Sequence, residues 1–123
     1  MVANGDVSVV VTGIGAVTPL GNDLPATWSA LTSGVSGVST ITRFDPTGYE
    51  TTIAAEVKDF DAAAHMGRKD ARRTDRYTHF AVAAAQEALA QSGLTIDEEN
   101  ADRVGVLIGS GMASRQGQGI FLH

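Results

Sequence analysis

The chain contains no cysteine. That absence excludes disulfides, thiolate metal sites and a cysteine nucleophile from its own residues. Histidine is scarce: His65, His79 and His123 are the whole supply. They are too scattered for metal-ligand spacing, so each is expected on a surface or helix face. No apolar run approaches the roughly 20 residues that a membrane-spanning helix needs. Asp6 sits where the positive n-region of a secretory leader belongs, and the apolar run behind it is short. The chain is therefore expected to be soluble and cytoplasmic. A net charge of −5 argues against general nucleic-acid binding. No internal repeat, low-complexity tract or cofactor motif is found.

What is present suits one α/β domain: 123 residues, of which 43% are hydrophobic. Ser8 to Thr12 reads as a strand buried on both faces, because it is β-branched and almost wholly apolar. A helix is expected from Asn22 or Asp23, either of which can cap it, with Pro25 in the first turn. Trp28 and Leu31 give it an apolar face, and Gly34 is its expected stop. Val35 to Gly48 reads as irregular, with a turn at Asp45-Pro46. Thr51 to Val57 is expected as an edge strand or hairpin arm. Charged residues from Met66 lead into a long helix, about Arg72 to Ser92, with Tyr77, Phe80, Ala81, Ala84, Ala88 and Leu89 at helical spacing. Gly93 should end it. Val104 to Ile108 reads as a second buried strand opening into Gly109-Ser110-Gly111. Two such strands separated by helices favour a parallel sheet. Few strands are visible, so the layout resembles the opening of a larger domain.

The glycine turns invite a ligand-loop reading, which their spacing rejects. A dinucleotide fingerprint needs a third glycine where this chain has Thr18 after the first strand and Ser114 after the second. Ser110 sits in Gly-Ser-Gly, but the spacing does not make a nucleophile elbow and no Asp/His pair supports it. These residues are assigned to turns and close packing.

The basic residues are unevenly spread. Five of the nine Lys and Arg fall in one short stretch: Arg68, Lys69, Arg72, Arg73 and Arg76. On one continuous helix, Arg68, Arg72 and Arg76 would share a face, with Lys69 and Arg73 beside it. Asp70 and Asp75 partly neutralise the cluster. It is either a solvated helix face or a docking patch for an acidic partner. Positive charge at a helix start is mildly unfavourable with the macrodipole, which favours a use for the cluster.

Five stretches then occur in a telling order: VVVTGIGAVTPLGND at 9–23, TWSALTSGVSGVSTITRFD at 27–45, AAEVKDFD at 54–61, RKDARRTDRYTHFA at 68–81 and ENADRVGVLIGSGM at 99–112. Together they resemble the N-terminal part of the β-ketoacyl-acyl-carrier-protein synthases, elongating condensing enzymes of thiolase-like fold. The resemblance covers nearly all of the chain through Met112. It implies an α/β fold, here an incomplete N-terminal portion of a five-layered αβαβα architecture. It implies a decarboxylating Claisen condensation between an acyl-enzyme and malonyl-carrier protein, in fatty-acid or polyketide synthesis. The family's acyl-accepting Cys and two assisting His lie beyond the stretch this chain matches, so no catalytic residue is assigned here. Lys69, Arg72 and Arg73 match basic positions that meet the acidic acyl carrier protein. Met112 matches a position lining the acyl pocket, near the interface of a homodimer. Residues 1–112 are thus expected as a partial synthase domain, and 113–123 as a tail departing from the family pattern through truncation or a change of frame. Such a chain would be inactive alone and weakly stable, because its buried-type strands would lack cover. The alternatives are a non-catalytic module that docks a carrier protein and a small nucleotide-binding domain.

Overall fold

The first loop crosses one helix so closely that only glycine fits. In the computed structural model, which describes residues 8–110, Gly13 and Gly15 lie against the helix Arg76–Ser92. A Cβ on Gly13 would fall on the Ala88 carbonyl oxygen, and one on Gly15 on that of Ala84. The elements in chain order are α1 (Leu24–Thr32), β1 (Val38–Thr40), β2 (Ile53–Ala55), α2 (Ala62–Ala71), α3 (Arg76–Ser92) and a single 3-10 turn (Ala101–Arg103). The architecture is mixed α/β, as expected.

Side chains on one stripe of α3 hold the loop in place. Gln91 Oε1 accepts from the Ile14 amide at 2.6 Å, and Glu87 Oε2 from the Ala16 amide at 2.8 Å. The other Glu87 oxygen accepts from the Leu24 amide at 2.8 Å, at the first residue of α1. The start of α1 is then fully satisfied. Pro25 has no N–H, Ala26 donates to Asp23 Oδ1 at 2.7 Å, and Thr27 donates to the Asp23 carbonyl. A carboxylate at this end is also favoured by the helix dipole. Asp23, not Asn22, is the cap. Between loop and helix, Thr18 and Gly21 exchange backbone hydrogen bonds across the Pro19-Leu20 turn.

β1 and β2 form an antiparallel pair in the register Val38↔Ala55, Ser39↔Ala54, Thr40↔Ile53. The expected hairpin arm at Thr51–Val57 is therefore present. Its partner lies in the stretch expected to be irregular, because three residues of Val-Ser-Thr are too short to show alternation. The turn between them holds the expected Asp45-Pro46 signal, with Thr47 donating to Asp45 Oδ1 at 3.0 Å.

The expected parallel sheet is not formed. Among the described residues the only ladder is β1–β2, and neither Ser8–Thr12 nor Val104–Ile108 is paired. Parallel strands need cover on both faces. Here Val9 is 92% exposed and Leu107 is 98% exposed. Trp28, expected on an inner face of α1, is likewise exposed.

The expected long helix is present as α3, starting at Arg76 rather than Arg72, and a second helix, α2, precedes it where a charged lead-in was expected. α2 begins at Asp61, whose side chain accepts from the Ala63 amide at 2.9 Å. It is interrupted at Gly67, where φ is +77°, and ends at Arg72. Thr74 then donates its hydroxyl to the Asp70 carbonyl at 2.7 Å, and Asp75 takes the N-cap position of α3. α2 packs on α3 through Phe60, whose ring meets Phe80 edge-on at 5.1 Å and stacks on His65 at 5.2 Å. Gln86 of α3 donates to the His65 carbonyl at 3.0 Å. The most buried described residues, Ala83 and Thr78, both lie on α3. Gly93 ends α3 in the left-handed conformation, as expected.

Steric closeness at Gly15 sets a test. Gly15→Ala is expected to destabilise the chain by about 1–3 kcal/mol or more, since the obstacle is backbone and cannot turn aside. Gly105→Ala, with open space around it, should stay within about 0.5 kcal/mol. Urea-unfolding midpoints of the two variants check this.

Candidate functional site

The basic cluster does not form one face of one helix. The break after Ala71 divides it between the end of α2, the connection and the start of α3. Arg68 and Lys69 occupy the last turn of α2, Arg72 is its C-cap and Arg73 follows. All four are exposed. Cations at a helix C-terminus are favoured by the dipole by about 0.3–1 kcal/mol. Arg68 to Arg73 precede α3, so the penalty expected at the start of that helix does not fall on them. Arg72 Nε also donates to the Arg68 carbonyl at 3.3 Å, which ties the two together.

Arg76 leaves the cluster. It is half-buried, donates to the Val57 carbonyl at 2.8 Å, and lies 4.9 Å from the Phe80 ring centroid. Its partners are the hairpin exit and α3, so it belongs to the packing between them. Arg68, Lys69, Arg72 and Arg73 remain as one exposed basic turn.

The two glycine turns, far apart in sequence, open on one cleft. It has a volume of about 390 Å³ and lies between Gly15–Thr18, the Tyr77–Phe80–Ala84 face of α3, and Ile108–Ser110. Apart from Tyr77, Thr18 and Ser110, its walls are apolar or backbone. His65 and His79 are committed to packing: one stacks on Phe60, and the other's ring nitrogen bonds the Ala71 carbonyl at 3.1 Å. His123 and Met112 lie outside the described residues, as does the expected tail from residue 113. Among the described residues no cluster of His, Asp and Glu could hold a metal ion.

A second, polar cleft of about 290 Å³ lies between the hairpin and the start of α3, with Thr42, Arg43, Glu56, Lys58 and Arg76 in its walls. Glu56 Oε2 accepts from the Thr42 amide at 3.0 Å and from the Thr42 hydroxyl at 2.7 Å. The hydroxyl bond is the main reason that the Glu56 carboxyl titrates below the ordinary glutamate range, with desolvation opposing it. These residues were not singled out by sequence. The signal available was the lone Thr-Arg and Glu-Val-Lys flanking a hairpin. Glu87 was missed too, although it is the only acidic residue of the alanine-rich α3.

The family described as "Beta-ketoacyl synthase, N-terminal domain" matches residues 6–122. The chain belongs to the β-ketoacyl synthases. It is 51% identical over 104 residues to the 3-oxoacyl-[acyl-carrier-protein] synthase 2 of Synechocystis sp. (strain ATCC 27184 / PCC 6803 / Kazusa), covering 85% of this chain and 25% of that protein. The enzyme of the same name from Coxiella burnetii (strain RSA 493 / Nine Mile phase I) is 53% identical over the same shares. That from Staphylococcus aureus (strain MRSA252) is 44% identical over 111 residues, covering 90% of this chain and 27% of that protein. Among solved structures, "The ishigamide ketosynthase/chain length factor" superposes with a TM-score of 0.60 at 36% identity, over 70% of this chain and 21% of that chain. The chain thus spans about a quarter of the length of the curated relatives it matches. Its fold class is that of the β-ketoacyl synthases, α/β and thiolase-like.

The lowered Glu56 pKa carries a pH dependence. A carboxyl depressed in the folded state contributes stability above its unfolded pKa, and that contribution is lost as pH falls through the folded value. Thr42→Val should therefore raise the Glu56 midpoint toward the ordinary glutamate range and flatten the acid limb of stability against pH. Carboxyl-resolved NMR titration of the two forms measures both.

Proposed function

We propose that this chain serves β-ketoacyl-carrier-protein synthesis as the N-terminal portion of a condensing enzyme. The observation that carries the proposal is the match over residues 6–122, together with 44–53% identity to three proteins named 3-oxoacyl-[acyl-carrier-protein] synthase 2. In the reaction a new carbon–carbon bond joins the acyl carbonyl carbon to the malonyl α-carbon as carbon dioxide leaves. The acyl group must first be held on a nucleophile, and acyl transfer of this kind uses an activated thiolate. No residue of this chain offers a thiol. Its part is to bind and to scaffold, and the chain alone does not condense.

Within this reading Lys69, Arg72 and Arg73 meet the acidic face of the acyl carrier protein. Their exposure and their common place at the end of α2 support that role. Met112 lines the acyl pocket, and the functional enzyme is a homodimer in the cytoplasm. No helix among the described residues is long and apolar enough to cross a membrane. The basic turn would equally serve a module that docks the carrier without catalysis, because docking needs none of the missing chemistry.

Binding and turnover separate these readings. The chain should bind acyl carrier protein with an affinity that falls as salt rises. Arg72→Ala and Arg73→Ala should each weaken it roughly 2- to 5-fold, the range of exposed charge pairs worth about 0.5–1 kcal/mol. Affinity indifferent to salt and to both substitutions would overturn the docking role. Condensation of acyl- and malonyl-carrier protein by the pure chain would overturn the assignment of the nucleophile elsewhere.

A further inference from the structure

The polar cleft between the hairpin and α3 is lined by residues other than those of the basic turn. Three cationic side chains, Arg43, Lys58 and Arg76, line it against two carboxylates, Glu56 and Asp59. Glu56 is turned onto the Thr42 amide and hydroxyl, which are neutral donors. Arg43 is not without a counter-charge, since its guanidinium also helps to hold the Glu56 carboxyl below the ordinary range. Arg76 is positioned by one bond, from a guanidinium Nη to the Val57 carbonyl, and by the Phe80 ring 4.9 Å away. The cleft wall itself is bent at Asp59, a non-glycine residue with φ of +53°.

We propose that this cleft binds a small phosphate monoester, with the Arg76 fork as the fixed contact and Arg43 and Lys58 closing on the anion. A guanidinium fork matches phosphate oxygens in geometry, and an ammonium adds a mobile point charge. The volume of about 290 Å³ admits a phosphate with a short organic group. Burial first, and then the neighbouring Arg43 charge, lower the Arg76 pKa, while the Glu56 carboxylate opposes them. The site is separate from Lys69, Arg72 and Arg73, and it stands whether or not these meet a carrier protein.

Titration of the full chain with inorganic phosphate at fixed ionic strength, followed by 15N NMR, tests the site. Saturable shifts are expected at the Thr42, Lys58 and Asp59 amides and at the Arg76 side chain. Arg43→Gln and Lys58→Gln, which remove no hydrogen bond of the fold, should each weaken binding by about 5-fold or more, as loss of a charge-assisted contact does. Arg103→Gln, outside the cleft, should leave it unchanged. Shifts that are absent, that fail to saturate, that chloride reproduces at equal ionic strength, or that survive Arg43→Gln would overturn the proposal.

Discussion

The carboxylate of Glu87 joins three pieces of this chain that sequence separates. One oxygen holds the Ala16 amide of the first loop and the other holds the Leu24 amide that opens α1, while the residue itself belongs to α3. Hydrogen bonds to a charged acceptor contribute about 1.5–3 kcal/mol each, and an N–H left without a partner costs a comparable amount. That contribution depends on distance. The loop reaches Glu87 only because Gly13 and Gly15 carry no side chain and Ala84 and Ala88 carry small ones. Glycine, alanine and glutamate therefore form a single device, in which the small residues permit the approach and the carboxylate fixes it.

Both clefts follow from that placement of α3. Its Tyr77–Phe80–Ala84 face walls the apolar cleft once the first loop lies across the next turn of the helix. Its first residue, Arg76, reaches back to Val57 and walls the polar cleft. The basic turn stands between α2 and α3 because the helix breaks there. A continuous helix would have spread Lys69, Arg72 and Arg73 along a flank. The break leaves them together at the end of α2 and just beyond it.

Local chemistry was legible in the sequence, and chemistry shared between distant residues was not. Asp23 before Pro25, Asp45 before Pro46 and Gly93 after an alanine-rich run each act through neighbours in the chain, and each does in the structure what its type suggests. The break between α2 and α3 was missed because Ala71, Arg72 and Arg73 continue the helix-favouring run into it, while the Thr74-Asp75 pair that ends it is a weak signal. Arg76 was grouped with its neighbours because its partners, Val57 and Phe80, cannot be read from the charge pattern. The apolar runs at Val9–Val11 and Val106–Ile108 record a need for cover, and a pattern of that kind says nothing of which residues supply it. The family motifs, by contrast, were legible as an ordered set, and the match over residues 6–122 spans all five of them.

Native-state hydrogen exchange at the Ala16 and Leu24 amides tests the role of Glu87 most directly. Both amides should be protected well beyond their intrinsic rates. They should exchange together with the interior amides of α3 and lose that protection jointly in Glu87→Ala. Exchange of either amide at the rate of an unstructured peptide, or joint protection that persists in Glu87→Ala, would contradict the account.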